Sequence, residues 1–305
     1  MIRFALLSLL SLLSLTANVY AAQSTVDIDT AAKLYQAAAM REQVRASLGA
    51  MPEHIRQLFA TDSSAKLSEP QLAAITAAAV RGFRIDVFEA PALQAFAEHL
   101  DAATVAKSEA FLASDLGRRV VTADVALATL GETNIDKVMN GELTAPSTPK
   151  RDALFDKLER ATHSTESTVQ IFLDMGQAVA VGTAIGSGMD PAAVEERARK
   201  SGEASRAGLE ENMRVPMRRF MAYGYRDLSD ADLQHVLAFM QSTPGKRYVA
   251  AYNEAMGAGF DAMGRRTGEQ LGESLRELAL AEMAPPPQQG LPPAGIVAPP
   301  PVLPH

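Results

Sequence analysis

The sequence predicts an all-α protein, and three observations support this prediction. Of its 305 residues, 47% are hydrophobic but only 6% are aromatic, and alanine supplies much of the apolar content. Alanine favours helix, so this composition favours helices over strands. Apolar residues also recur at helical spacing, as in Leu233, Val236 and Met240. Finally, one sequence segment occurs twice, at residues 100–123 and 228–251, and each copy has the features of a corner between two helices.

The N-terminal residues 1–21 have the order of a secretory signal peptide. Arg3 is followed by an apolar run from Ala5 to Ala17, and Val19 and Ala21 are small residues suited to cleavage after Ala21. The run is shorter than the roughly 20 residues of a membrane span, so an uncleaved anchor helix is the less favoured alternative. We therefore expect an exported, periplasmic protein.

The C-terminal residues 284–305 predict a disordered tail. Nine of the 17 prolines of the chain lie there, and proline removes backbone donors and blocks helix. A solvated spacer is the favoured interpretation of this tail, and a docking segment for a partner is the alternative.

Composition and motifs exclude several classes of function. The net charge is -7, so the protein as a whole does not have the positive charge that would attract a nucleic-acid partner. The chain has no cysteine, and its five histidines form no HExxH motif. It also contains neither a phosphate-binding loop nor a G-x-S-x-G motif. We expect no metal and no cofactor.

The repeated segment indicates an internal duplication. Residues 100–123 match residues 228–251 at a fixed offset of 128, with nine identities in 24 positions and no gap. In the second copy, Ser229 or Asp230 caps a helix that stops at Ser242. Ser242 and Pro244 then fit the N-cap and first turn of the next helix. The glycine of that turn, Gly245 or Gly117, lets another helix approach closely.

Helical periodicity and capping residues predict about ten helices in two related halves. The halves cover residues 22–142 and 152–283, and residues 143–151, which follow Gly141 and contain two prolines and two threonines, link them. The predicted helical segments are Thr30–Leu48, Pro52–Ala60, Ser68–Arg84, Ala90–His99, Asp101–Ala113, Asp115–Asn140, Asp152–Ala161, Ser164–Ile185, Pro191–Tyr223, Asp230–Gln241 and Thr243–Met283.

The stretch LSDADLQHVLAFMQSTPGKRY, Leu228 to Tyr248, resembles the bacterial envelope family known as domain of unknown function 2059. The family pattern has a Leu-Ser start, an acidic residue before a Leu, a Phe and a Ser-Pro-x-Gly corner. The resemblance is best over Tyr223–Leu278 and weaker over Leu100–Gly131. It implies an exported all-helical domain without an assigned activity, so it supplies no catalytic residue.

An apolar stretch from Val169 to Met189 has two alternative interpretations. Gly182 and Gly186 have GxxxG spacing, which is found in membrane helix pairs. Asp174 lies within the stretch, and a charge at membrane depth costs several kcal/mol. We expect a buried helix contact through small residues and no membrane span in the mature chain.

The candidate binding residues are the cations after each corner glycine: Arg118 and Arg119 in the first copy, Lys246 and Arg247 in the second. A cation in the first turn of a helix opposes the helix dipole by roughly 0.3–1 kcal/mol, so the placement needs a reason. One hypothesis is that these cations pair with carboxylates of the adjoining helix; the candidates are Asp101, Glu109, Asp230 and Asp232. The other is that they bind an anion, such as a lipid phosphate or a wall carboxylate.

Two classes of function follow. The favoured one is a non-enzymatic binding or scaffold module that contacts an envelope protein, a lipid or the cell wall. The alternative is a helical hydrolase of peptidoglycan, with Glu109 as an acid of raised pKa on a half-buried face. Glu109 turned to solvent, or paired with a cation, would have no such role.

Overall fold

The computed structural model describes residues 26–48, 56 and 68–283, and all regular secondary structure within these ranges is helical. The all-α prediction is confirmed for this part of the chain. The predicted signal peptide over 1–21, the predicted tail over 284–305 and the helix predicted over 52–60, apart from Arg56, lie outside the described residues. The helices of the ranges 26–48 and 68–283 are α1 (Ile28–Ala37), α2 (Met40–Leu48), α3 (Glu69–Gly82), α4 (Ile85–His99), α5 (Ala102–Leu112), α6 (Asp115–Ala128), α7 (Glu132–Asn140), α8 (Pro149–Thr162), α9 (Ser164–Gly186), α10 (Pro191–Gly224), α11 (Asp230–Gln241) and α12 (Thr243–Met283).

Two predicted helices are each divided in the structure. The segment predicted over 30–48 is α1 and α2, separated where Ala39 adopts a φ of 51°. The segment predicted over 115–140 is α6 and α7, separated at Gly131, whose φ is 80°. A left-handed residue interrupts the helical hydrogen-bond ladder. The prediction of continuous helices was wrong because apolar spacing continues across both breaks.

Two helix starts also differ from the prediction. Helix α4 begins at Ile85, before the predicted Ala90, and includes Pro91. Helix α8 begins at Pro149, with Thr148 as the N-cap that accepts a hydrogen bond from the Arg151 amide. Proline is tolerated at a first helical position because no backbone donor is needed there, so the non-helical part of the predicted linker is shorter than expected.

Helix α12 joins the N-terminal helices to the rest of the protein. Gly82 of α3 lies against Thr267, and Phe88 of α4 lies over Gly259 and packs edge-on against Phe260 at 5.3 Å between ring centroids. The largest hydrophobic cluster therefore combines residues of α1, α2, α4 and α5 with residues of α12.

Helices α9 and α12 are in direct backbone contact. A Cβ added to Gly182 would lie 2.2 Å from the Arg265 carbonyl oxygen, and one added to Gly268 would lie 2.1 Å from the Val179 carbonyl oxygen. The helices run parallel, because Gly264 lies against Met175 and the contacts advance together along both helices. The predicted helix contact through small residues is confirmed.

Helix α9 is also, among the described helices, the one that is long and apolar enough to cross a membrane by length and composition. A third of its most apolar window is buried inside the protein. A core helix passes the same test, so the expected lack of a membrane span stays a prediction.

The two corners have the same local geometry. The side chain of Ser114 accepts a hydrogen bond from the Gly117 amide at 3.0 Å, and that of Ser242 accepts one from the Gly245 amide at 3.1 Å. A Cβ on either glycine would lie within about 2 Å of the backbone oxygen of the preceding phenylalanine. The predicted corner is confirmed at both places, with close approach by the end of the preceding helix. Common ancestry of the two copies stays a prediction.

The corners also pack against each other. The Phe111 and Phe239 rings stack with centroids 4.1 Å apart and planes 4° apart. These phenylalanines hold corresponding positions in the repeated segment. Each corner thus covers an apolar surface of the other.

Cleavage within the linker should separate two parts of one core. We expect fragments that end and begin at Ser147 to be insoluble when expressed singly and soluble when coexpressed, because Tyr248, Ala255 and Met263 complete the cluster of the N-terminal helices. Size-exclusion chromatography of the coexpressed pair measures this. Two fragments that fold without associating would contradict the prediction.

The backbone contact predicts opposite effects for two glycine substitutions on α9. We expect Gly182→Ala to lower the free energy of unfolding by about 2 kcal/mol, because the helices must separate to admit the methyl group. The control is Gly176→Ala, where no atom of the described residues lies within 4 Å of the added Cβ; it should raise stability by roughly 0.5–1 kcal/mol. Urea unfolding measures both, and equal effects would contradict the contact.

Candidate functional site

A largely apolar cavity lies where the glycine contact between α9 and α12 ends. N-terminal to Gly264, α12 presents Tyr252, Met256 and Phe260, and these large side chains replace the glycines of the close contact. The cavity has a volume of about 490 Å³. Helices α2, α5, α6, α8, α9, α10 and α11 supply the rest of its wall, so it is formed by both halves of the chain.

Methionine and aromatic side chains dominate the cavity wall. Its methionines are Met217, Met221, Met240 and Met256. Methionine is unbranched and adapts its shape to different neighbours. A cavity with this wall suits an apolar ligand better than a polar one.

The main polar feature of the cavity is a hydrogen bond between Asp124 and Tyr225. The Tyr225 hydroxyl donates to Asp124 Oδ1 at 2.7 Å. Burial raises the pKa of the Asp124 carboxyl to about 7 against the opposing effect of this hydrogen bond. Burial likewise raises the pKa of the Tyr225 hydroxyl well above its ordinary value, so this phenol stays neutral.

Sequence reasoning missed Asp124, although the sequence contains a signal for it. Asp124 follows Val120 and Val121 and precedes Leu127 on the apolar face of α6, and all four residues line the cavity. A carboxylate at helical spacing among buried apolar residues is unusual. The sequence pattern at Asp124 therefore marks a position where a perturbed acid is expected.

Two more tyrosines contribute hydroxyl groups. The Tyr252 hydroxyl donates to Gln43 Oε1 at 3.2 Å. Within the residues that the structure describes, the Tyr248 hydroxyl forms no hydrogen bond, although Tyr248 lines the cavity. Burial raises the pKa of both phenols. The Tyr248 hydroxyl is thus a neutral group that a ligand can use as donor or acceptor.

A second, polar cavity, called here the cleft, lies between α8, α9, α10 and α12. Its volume is about 930 Å³. Four cations line it, and in the described ranges none of them has a carboxylate within ion-pair distance: Lys157, Arg160, Arg206 and Lys246. These charges are available to a ligand.

Three carboxylates also line the cleft. Glu166 accepts a hydrogen bond from Arg214 at 2.9 Å, and both oxygens of Asp174 accept from Gln170 at 2.7 Å. The third carboxylate is Glu254, which is exposed. Both oxygens of Asp174 and Oε1 of Glu166 are thus held by donors of the protein, whereas Glu166 Oε2 is buried without a hydrogen-bond partner among the described residues.

The cavity and the cleft are adjacent. Ser167 and Ile171 of α9 line both, as do Val249 and Asn253 of α12. These four side chains form the boundary between the apolar and the polar space. One ligand with an apolar and a polar part could contact both.

The structure does not bring the four predicted cations together. Arg118 pairs with Asp115 on its own helix. Arg119 pairs with Asp232 at 3.0 Å, and hydrogen bonds from Ser229 and then from Arg119 lower the pKa of that carboxyl to about 2.

In the second copy, Arg247 pairs with Asp101. Arg119 of the first copy therefore contacts the start of α11 in the second copy. Arg247 of the second copy contacts the start of α5 in the first copy. Lys246 is exposed and is the one predicted cation that lines the cleft. Anion binding by these residues stays a prediction.

The other candidates for chemistry can also be located. Glu109 is exposed on α5. Over residues 26–48 and 68–283, no group of three or more histidine, aspartate or glutamate side chains could hold a metal ion. That the protein needs no cofactor stays a prediction.

Comparison of the chain with protein-family models, with curated proteins and with solved structures finds no match. The resemblance to domain of unknown function 2059 is therefore neither supported nor contradicted.

The buried carboxyl predicts a pH dependence of stability. Between about pH 4 and pH 7 the folded protein keeps the Asp124 proton that the unfolded chain releases, so this group's contribution to stability falls as the pH rises to about 7 and then levels off. We expect Asp124→Asn to remove this decline. Urea unfolding across this range measures it, with exposed Asp136→Asn as control. Parallel curves for wild type and Asp124→Asn would contradict the prediction.

Proposed function

We propose that the protein is a non-enzymatic binding module of the bacterial envelope, exported to the periplasm, and that its cavity binds an apolar ligand. The observation that carries this proposal is the 490 Å³ cavity with its methionine and aromatic wall. Ligand sites are typically apolar cavities of about 300–1,000 Å³ with a few polar groups. The hydroxyl of Tyr248 and the carboxyl of Asp124 are such groups here.

Packing energetics support a binding role for this space. Protein interiors are normally close-packed, and voids destabilise a fold because the surrounding atoms lose contacts. Wall residues such as Phe111, Tyr252 and Phe260 pack against the largest hydrophobic cluster and are only partly buried. An apolar ligand would bury these surfaces and restore the missing contacts.

The carboxylates of the cavity favour binding over the alternative of glycan hydrolysis. Glycoside hydrolysis ordinarily uses two carboxyl groups about 5–9.5 Å apart. Of the described residues that line the cavity, Asp124 alone carries a carboxyl group, and the earlier candidate Glu109 is exposed. A hydrolytic role would have to combine Asp124 with a carboxylate of the adjacent cleft, where Glu166 and Asp174 already accept hydrogen bonds from Arg214 and Gln170.

A neutral fluorescent probe tests the proposal. We expect the exported chain, residues 22–305, to bind 1-N-phenylnaphthylamine, and Val121→Trp, which fills the cavity, to weaken binding roughly tenfold. The matched control is Val80→Trp, because Val80 is 57% exposed on α3 and lies outside the cavity. Mass spectrometry of solvent extracts should also detect an apolar molecule that copurifies with the wild type.

Two results would contradict the proposal. One is the lack of both probe binding and a copurified apolar molecule. The other is the release of muropeptides when the purified protein is incubated with peptidoglycan, since this would make the protein a hydrolase.

A further inference from the structure

We propose that the ligand is an amphiphile with an acidic head group, a carboxylate or phosphate on an acyl chain. Its chain occupies the cavity, and its head group binds in the cleft near Lys157, Arg160 and Lys246. This inference rests on the proposed function, because it adds a head-group site to the apolar site. The observation behind it is that an apolar and a cationic space share the side chains of Ser167, Ile171, Val249 and Asn253.

The charges of the cleft contrast with those of the whole protein. The chain has a net charge of -7, yet the cleft collects Lys157, Arg160, Arg206 and Lys246 without an ion-pair partner among the described residues. Most other arginines that the structure describes have a hydrogen-bonded or ion-paired acceptor. Unpaired cations that share one concave surface are the arrangement that binds an anion.

The position of Lys246 strengthens this argument. It lies in the first turn of α12, where the helix dipole opposes a cation. Arg118, Arg119 and Arg247 also lie in the first turn of a helix, but each has a carboxylate partner that offsets the unfavourable interaction with the helix dipole. Lys246 has no such partner in the described chain and lines the cleft. A bound anion would supply the missing negative charge.

The end of the cleft near Glu254 is less suited to an anion than the end near Lys246. Lys157 and Arg160 lie near the C-terminal end of α8, and Lys246 lies at the start of α12. Glu254 is two helical turns further along α12, about 12 Å along the axis. The head group is therefore assigned to the end with Lys246, beside the shared residue Val249, and the shared residue Asn253 lies about two helical turns further along α12.

The polar groups of the boundary suit a head group and its linkage. Ser167 has a hydroxyl group and Asn253 has a carboxamide, and both residues line the cavity and the cleft. Both side chains can donate a hydrogen bond to an ester or carboxyl oxygen. The acyl chain then extends past Ile171 toward the methionines of the cavity.

Matched ligands test the head-group site. Hexadecanoic acid and monohexadecanoyl glycerol have the same acyl chain, but only the acid is charged at pH 8. We expect the acid to displace the neutral probe from the wild-type protein about tenfold more effectively than the glycerol ester. This preference should disappear in about 1 M NaCl, where charges are screened within about 3 Å.

Charge reversal identifies the residues. The triple variant Lys157→Glu, Arg160→Glu, Lys246→Glu should lose the preference for the acid and keep its affinity for the neutral probe. The control Lys107→Glu changes an exposed, unpaired cation outside both cavities and should keep the preference. The single change Lys246→Gln provides a milder test, and thermal melting followed by circular dichroism establishes that each variant folds.

The outcomes separate the two proposals. If the wild type binds neither the probe nor either amphiphile, the proposed function fails. If the probe binds but the acid and the ester compete equally, the head-group site is overturned and the apolar site stands. Inorganic phosphate that binds the cleft as tightly as the acid does, measured by calorimetry, would make the cleft a free-anion site and also overturn the inference.

Discussion

The backbone contact between α9 and α12 is the constraint on which the rest of the structure depends. Gly182 and Gly186 of α9 and Gly268 and Gly272 of α12 each lie against a carbonyl oxygen of the facing helix. Contacts between backbones fix both the distance and the register of two helices, because no side chain can adjust between them. The N-terminal helices then pack on another side of α12. The position of α12 therefore determines where both halves of the chain lie.

The same contact accounts for the location of the cavity. Close approach requires glycine, and the glycines of α12 give way to Tyr252, Met256 and Phe260 toward its N-terminus. Large side chains cannot pack at the distance set by the glycines, so the wall must include other helices. The result is a cavity, partly open to solvent, whose wall includes aromatic and methionine side chains. Asp124 is tolerated in this wall because Tyr225 donates to it and its pKa is raised toward neutrality.

The two corners show how local and tertiary interactions combine. Each corner is complete by itself, because a serine side chain caps the new helix and a glycine lets the chain turn over the preceding helix end. Two kinds of contact then hold the corners together: the stacking of Phe111 on Phe239, and the reciprocal ion pairs that Arg119 and Arg247 form with the other copy. Both ion pairs are partly exposed, and ion pairs at a protein surface stabilise a fold by only about 0–1 kcal/mol, so their main effect is to fix orientation. Lys246 takes no part in these ion pairs, which leaves its charge for the cleft.

The sequence by itself determined the helical class, both corners and the small-residue contact of α9. These features depend on interactions between residues close in the chain, or on residues such as Gly182 whose size limits what can lie beside them. The tertiary structure decided that Asp124 lines the cavity and which carboxylate each arginine meets. It also decided that Lys246 lines a cleft beside an apolar cavity. These features join residues more than 100 positions apart, such as Asp124 with Tyr225 and Arg119 with Asp232. Helical spacing shows that a face is buried, but which helix covers that face depends on how the whole chain packs.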